Sequence, residues 1–90
     1  MTPKFTSEDI VATSNAVSFM ERHSVDGKAL LDRHFAGDWG DQSKGDLRTN
    51  DTALKNGERV MSSYDVEGGK IWIITEWDRS VTTILLPSDY

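Results

Sequence analysis

The 90-residue chain has no cysteine, which removes a disulfide framework, a thiolate nucleophile and any zinc site built on sulfur. Proline is equally scarce, two residues in all, and no low-complexity tract or linker interrupts the chain, so residues 1–90 read as a single domain. No stretch approaches the ~20 consecutive apolar residues that cross a bilayer. The beginning, Met1-Thr-Pro-Lys-Phe-Thr-Ser-Glu-Asp, lacks the apolar run of a secretion signal, so the expectation is a cytoplasmic protein with no membrane partner. Positive charge is in short supply too. Ten Lys and Arg stand against fifteen Asp and Glu, a net charge of −5, the wrong sign for phosphate attraction, and nucleic acid is disfavoured as a partner. Only two histidines occur, His23 and His34, with no third ligand at a recognisable spacing. No metal site is assigned, and His34 reads as a solvent-facing or core-edge residue. Neither a Gly-x-Ser-x-Gly turn nor a phosphate loop ending in Gly-Lys-Ser/Thr is present, and no catalytic residue or cofactor is assigned.

Apolar residues make up 37% of the chain, enough for one small core, and they fall into two patterns. The first half has helical spacing. Thr6 as cap and Phe5 with Ile10 as a hydrophobic staple predict a helix from near Ser7, carried by Ile10, Val17 and Met20 to near His23. A second helix starts at Ser24-Val25-Asp26, runs through Ala29, Leu30, Leu31, His34 and Phe35, and stops at Gly37. After a loop that holds Trp39, a polar third helix capped by Ser43 or Asp46 reaches Asn56-Gly57.

From Glu58 the period changes to two. Residues 59–66, 70–76 and 81–86 are rich in β-branched and aromatic side chains and are separated by short turns, which predicts a three-stranded antiparallel meander. The expected fold class is therefore α+β, with two to three N-terminal helices followed by that sheet. Turns of three and four residues would pair Val66 with Lys70 and Glu76 with Val81. That register gathers Val60, Ser62, Tyr64, Trp72, Ile74, Val81, Thr83 and Leu85 on one face, and Met61, Ser63, Asp65, Ile71, Ile73, Thr75, Thr82, Ile84 and Leu86 on the other. Both faces carry apolar residues and both need cover. Three outcomes follow: helices or a folded-back Leu86–Tyr90 segment cover the second face, that face is a partner or homodimer surface, or a one-residue slip exchanges the faces of a strand.

Tryptophan carries the binding signal, because Trp and Arg concentrate where interfaces gain their energy. Trp77, at a hairpin tip beside Asp78 and Arg79, is the best candidate for an exposed anchor, with local cover of the sheet edge as the equal alternative. Trp72 reads as core, and Trp39 as packed at the junction of helix and sheet. The candidate partner-binding set is Asp38, Trp39 and Asp41 from one loop with Glu76, Trp77, Asp78 and Arg79 from the hairpin. Glu76 and Asp78 also suit a paired-carboxylate reading, but Asp78-Arg79-Ser80 fits a turn in which Asp accepts backbone N–H bonds, and Glu76 suits an ion pair with Arg79 or Arg59.

The runs Gly37-Asp-Trp-Gly-Asp41, Trp72-Ile-Ile-Thr-Glu76, Asp78-Arg-Ser80, Thr82-Thr83 and Leu85-Leu-Pro87 resemble a family of small bacterial, often plasmid-borne proteins. Members tend to be labelled plasmid-related protein or type I restriction endonuclease subunit M. The resemblance covers nearly the whole chain after residue 28 and supplies no mechanism. The family pattern has a small residue where Trp77 stands, which makes Trp77 a local specialisation. The resemblance implies a non-enzymatic protein-binding protein of mobile genetic elements, with an anti-restriction or anti-CRISPR role as one form of that binding. The alternative is a small ligand-binding or enzymatic domain that uses the loop 38–41 with the hairpin 76–79.

Overall fold

The computed structural model describes residues 2–90. The elements, in chain order, are β1 (Asp9–Ala12), α1 (Ser14–Arg22), α2 (Gly27–Phe35), α3 (Lys44–Lys55), β2 (Val60–Val66), β3 (Gly69–Thr75), β4 (Val81–Leu85) and a closing 3-10 turn (Pro87–Asp89). The α+β class holds, but the layout is not helices first: a strand precedes α1, and the sheet has four strands in the order β1-β4-β3-β2. The added strand is β1, which pairs in parallel with β4, while β2–β3–β4 is the expected antiparallel meander.

The first predicted helix is thereby split. Its first turn is the strand β1, and the helix begins only at Ser14, where the Thr13 hydroxyl accepts from the Ala16 N–H at 3.0 Å. Ile10 and Val11 are β-branched and lose side-chain freedom in a helix. An edge position on β4 gives the same residues a backbone partner. The other two helices fall close to their expected bounds. Asp26 caps α2, its carboxylate accepting from the N–H groups of Lys28 and Ala29, and Ser43 caps α3.

The β2–β3 register differs from the expectation by one residue. Val66 pairs with Gly69 across a two-residue turn, with Gly68 in the left-handed region at φ +90°, whereas β3 and β4 pair as expected. A one-residue slip exchanges the faces of a strand. The inner face therefore holds Val60, Ser62, Tyr64, Ile71, Ile73, Thr75, Thr82 and Ile84, and every one is buried. Ala16 and Phe19 of α1 and Leu30 of α2 cover one half of it. Trp39 and Ala53, with Phe5, Leu47 and Leu54, cover the half around Val60.

On the outer face Ile74 and Leu85 are buried, while Trp72 is only partly so rather than core. The C-terminal segment contributes the cover. The Tyr90 ring meets Trp72 edge-on at 5.7 Å and takes the Arg59 guanidinium at 5.4 Å, and Arg59 donates to its hydroxyl at 2.9 Å. Asp89 fastens this segment to the start of α1: its carboxylate accepts from Thr13 at 2.6 Å and from Asn15 at 2.8 Å. Those bonds hold the Asp89 carboxyl below its ordinary range.

Candidate functional site

The hairpin between β3 and β4 is built to hold one side chain in solvent. The Asp78 carboxylate accepts from the Ser80 N–H at 3.0 Å and the Ser80 hydroxyl at 2.7 Å, which holds its pKa below the usual range and closes the turn. Arg79 adopts φ +59°, and its guanidinium donates to the carbonyls of Glu58 at 2.9 Å and Glu76 at 3.1 Å while lying 5.4 Å from the Phe5 ring. Glu76 faces Arg59 at 3.6 Å, one of the two ion pairs expected for it. Trp77 is left 67% exposed at the tip, with no aromatic or cation contact among the described residues. Of the seven candidate residues, Trp77 alone is a large apolar surface offered to solvent.

The loop 38–41 does structural work along the outer edge of β2. Trp39 is buried, stacked in a group with Phe5 and His34, and its indole N–H donates to Asp51 at 2.8 Å. Asp38 holds Arg33 at 2.7 Å, and that cation keeps its carboxyl below the ordinary value. The Asp38 carbonyl accepts the Tyr64 hydroxyl at 2.6 Å, and burial pushes the Tyr64 pKa up to about 12. Asp41 accepts from the Asp65 N–H at 2.9 Å rather than capping the following helix. Phe5 links the two loops through Trp39 at 6.0 Å and the Arg79 cation at 5.4 Å. A shallow depression of about 540 Å³ lies instead against α3, lined by Gly45, Arg48, Thr49, Thr52 and Glu58, and contains none of the seven.

Two features were missed from the sequence. The first is a buried chain of side-chain hydrogen bonds. His34 is fully buried, not at the surface or the core edge; its Nδ1 meets the Ser62 hydroxyl at 2.6 Å and its Nε2 the Thr75 hydroxyl at 2.8 Å. Thr75 continues to Thr82 at 2.7 Å, and Thr82 to Ser7 at 2.7 Å. Both ring nitrogens are occupied by hydroxyls, so the ring is engaged as a structural crossbar and presents no free lone pair to a metal or substrate. Burial, with a smaller push from Arg79, lowers its pKa to about 3. The signal available was the row of hydroxyls Ser62, Thr75 and Thr82, which only the correct β2 register places on one face.

The second is an asymmetry between the two edges of the sheet. Along β2 the outward N–H groups of Met61, Ser63 and Asp65 and the carbonyls of Met61 and Ser63 are taken. Asn50 accepts from the Met61 N–H at 2.9 Å and donates to its carbonyl at 2.8 Å, acting as a short surrogate strand. The Ser63 N–H donates to the Trp39 carbonyl at 3.0 Å, and its carbonyl accepts from the Asp41 N–H at 2.7 Å. Gln42 adds a second donor to the Met61 carbonyl at 3.0 Å. At the other edge, all four residues of β1 are exposed, with Ile10 at 52% and Val11 at 48%.

No family model, curated protein or solved structure matches the chain.

Proposed function

We propose that this chain is a non-enzymatic protein-binding protein in which Trp77 is the anchor. The supporting observation is a large aromatic held in solvent on a turn whose neighbours are all fixed: Asp78 by Ser80, Arg79 by two carbonyls, and Glu76 by Arg59. A turn whose backbone is already fixed has little main-chain entropy to lose when a partner closes over its tip, and tryptophan is enriched among the residues that dominate binding. The resemblance to plasmid-borne proteins extends this to a role in mobile genetic elements, where the bound protein would belong to restriction or CRISPR machinery. The ligand-binding or enzymatic alternative has weaker support, since the side chains of its loop 38–41 are bound into the fold and His34 is already engaged.

The test is capture of partners by the tagged chain from a host carrying such defence systems, compared with Trp77→Ala. An exposed residue is expected to be removable with a stability change within about 0.5 kcal/mol, whereas loss of a binding anchor costs about 2 kcal/mol or more, a fall of roughly thirtyfold in affinity. The same partners recovered in equal yield by both chains would contradict the assignment, as would plasmid and phage transfer that neither chain alters.

A further inference from the structure

We propose that β1 is a self-pairing edge, so that two copies join antiparallel about a two-fold axis through Val11 to form one eight-stranded sheet. The pairing of β1 with β4 fixes which groups are free. Asp9 donates its N–H to the Ser80 carbonyl at 3.0 Å and Thr13 to Ile84 at 3.0 Å, so alternation turns the N–H and C=O groups of Ile10 and Ala12 outward. An axis at Val11 sets Ile10 of each copy opposite Ala12 of the other. That is the arrangement in which two outward-facing residues exchange both hydrogen bonds, and it makes four bonds across the axis.

The side chains agree with this register. Val11 meets its own copy, a pairing of β-branched residues that strands favour, and the larger Ile10 lies beside the smaller Ala12. Asp9 falls opposite Thr13, whose hydroxyl holds Asp89, and Glu8 opposite Ser14, so acidic groups of the two copies come near one another and weaken the pairing at low salt. Three of the five large exposed apolar side chains among the described residues, Ile10, Val11 and Val17, belong to β1 and the helix that follows it.

The occupant is a second copy because the rest of the sheet stops the assembly there. With the β2 edge closed by Asn50, Trp39 and Asp41, each molecule offers one open edge. Joining like edges about a two-fold axis uses both, so the assembly closes at two rather than growing into a fibre. A four-residue strand buries a modest area, so the dimer is weak and forms at high protein concentration. Each copy carries −5, and added salt strengthens the association by screening.

Sedimentation equilibrium from low to high micromolar concentration tests this with the full chain. The wild type is expected to pass from the 10.1 kDa monomer to twice that mass and no further. Val11→Lys places two ammonium groups at the axis and is expected to weaken the dimer about tenfold or more, with the monomer's melting temperature nearly unchanged. Val11→Asp does the same, and an equimolar mixture of the two variants is expected to restore association. A wild type that remains monomeric throughout, a dimer indifferent to both variants, or variants that fail to associate when mixed would each overturn the proposal. A monomer whose Ile10 and Ala12 amides become protected only when a captured protein is present would overturn it as well, assigning the edge to a foreign strand.

Discussion

As the pH falls below about 6.5, the fold is expected to lose stability steadily, and His34 is the largest single cause. In the unfolded chain this imidazole takes up a proton near its ordinary 6.5, whereas in the native core it resists until about pH 3. Between those values the unfolded state binds more protons, so stability declines as pH falls. The stabilisation is complete above 6.5 and is lost across the window down to about 3. A change from 6.5 to about 3 converts, at about 1.4 kcal/mol for each tenfold in proton affinity, to roughly 5 kcal/mol. Domains of this size hold about 5–15 kcal/mol in all, so by the acid end of this window the loss is comparable to the smaller of those stabilities. Asp38, held low by Arg33, adds a further loss in the most acidic part of the range. Urea denaturation at successive pH values measures the slope. His34→Gln, which keeps hydrogen-bonding capacity without a titrating ring, is expected to be less stable at pH 7.5 and flatter between 6.5 and 4. Parallel slopes for the two chains would show that His34 does not carry the effect.

Gly40→Ala is expected to cost about 3 kcal/mol or more, an unusually large effect for the addition of one methyl group in a loop. Gly40 lies at φ +86°, where a side chain is strained. Its β-carbon would press on the Ser63 carbonyl oxygen and lie 2.6 and 2.9 Å from carbons of the Tyr64 ring. The neighbour to be displaced is backbone, so the loop has to move. Moving it withdraws the Trp39 carbonyl and the Asp41 N–H from Ser63, and the Asp41 carboxylate from Asp65. The β2 edge is then open as well. The variant is therefore expected to show a lower denaturation midpoint, a more solvent-exposed Trp39 by fluorescence and, with two open edges, growth beyond a dimer. A midpoint shift worth less than about 1 kcal/mol would mean that the loop does not seal the edge.

The meander and the second and third helices were legible because their signals are local: period-two alternation, a start at Ser24-Val25-Asp26, Ser43 or Asp46 as a cap, and glycines at the stops; the structure assigns the caps to Asp26 and Ser43. The solvent position of Trp77 and the Asp78–Ser80 turn were legible for the same reason. The strand β1 was not, since four residues pairing in parallel with β4 draw their stability from a segment some seventy residues away, while Phe5 and Ile10 imitate a helix start. The register of β2 depended on whether the turn at Glu67-Gly68 has two residues or three, and that single count decided which hydroxyls faced His34. Asp38, Trp39 and Asp41 stood out as a motif because the loop has a demanding structural task, closing the edge of β2, rather than a free surface to offer.

The contrast between a sealed edge and an available one is tested most directly by amide hydrogen exchange, residue by residue, on the dilute chain at neutral pH. The outward amides of Ile10 and Ala12 are expected to exchange at nearly the rate of an unstructured peptide, and those of Met61, Ser63 and Asp65 many times more slowly. Equal protection at both ends of the sheet, or faster exchange along β2 than along β1, would contradict it.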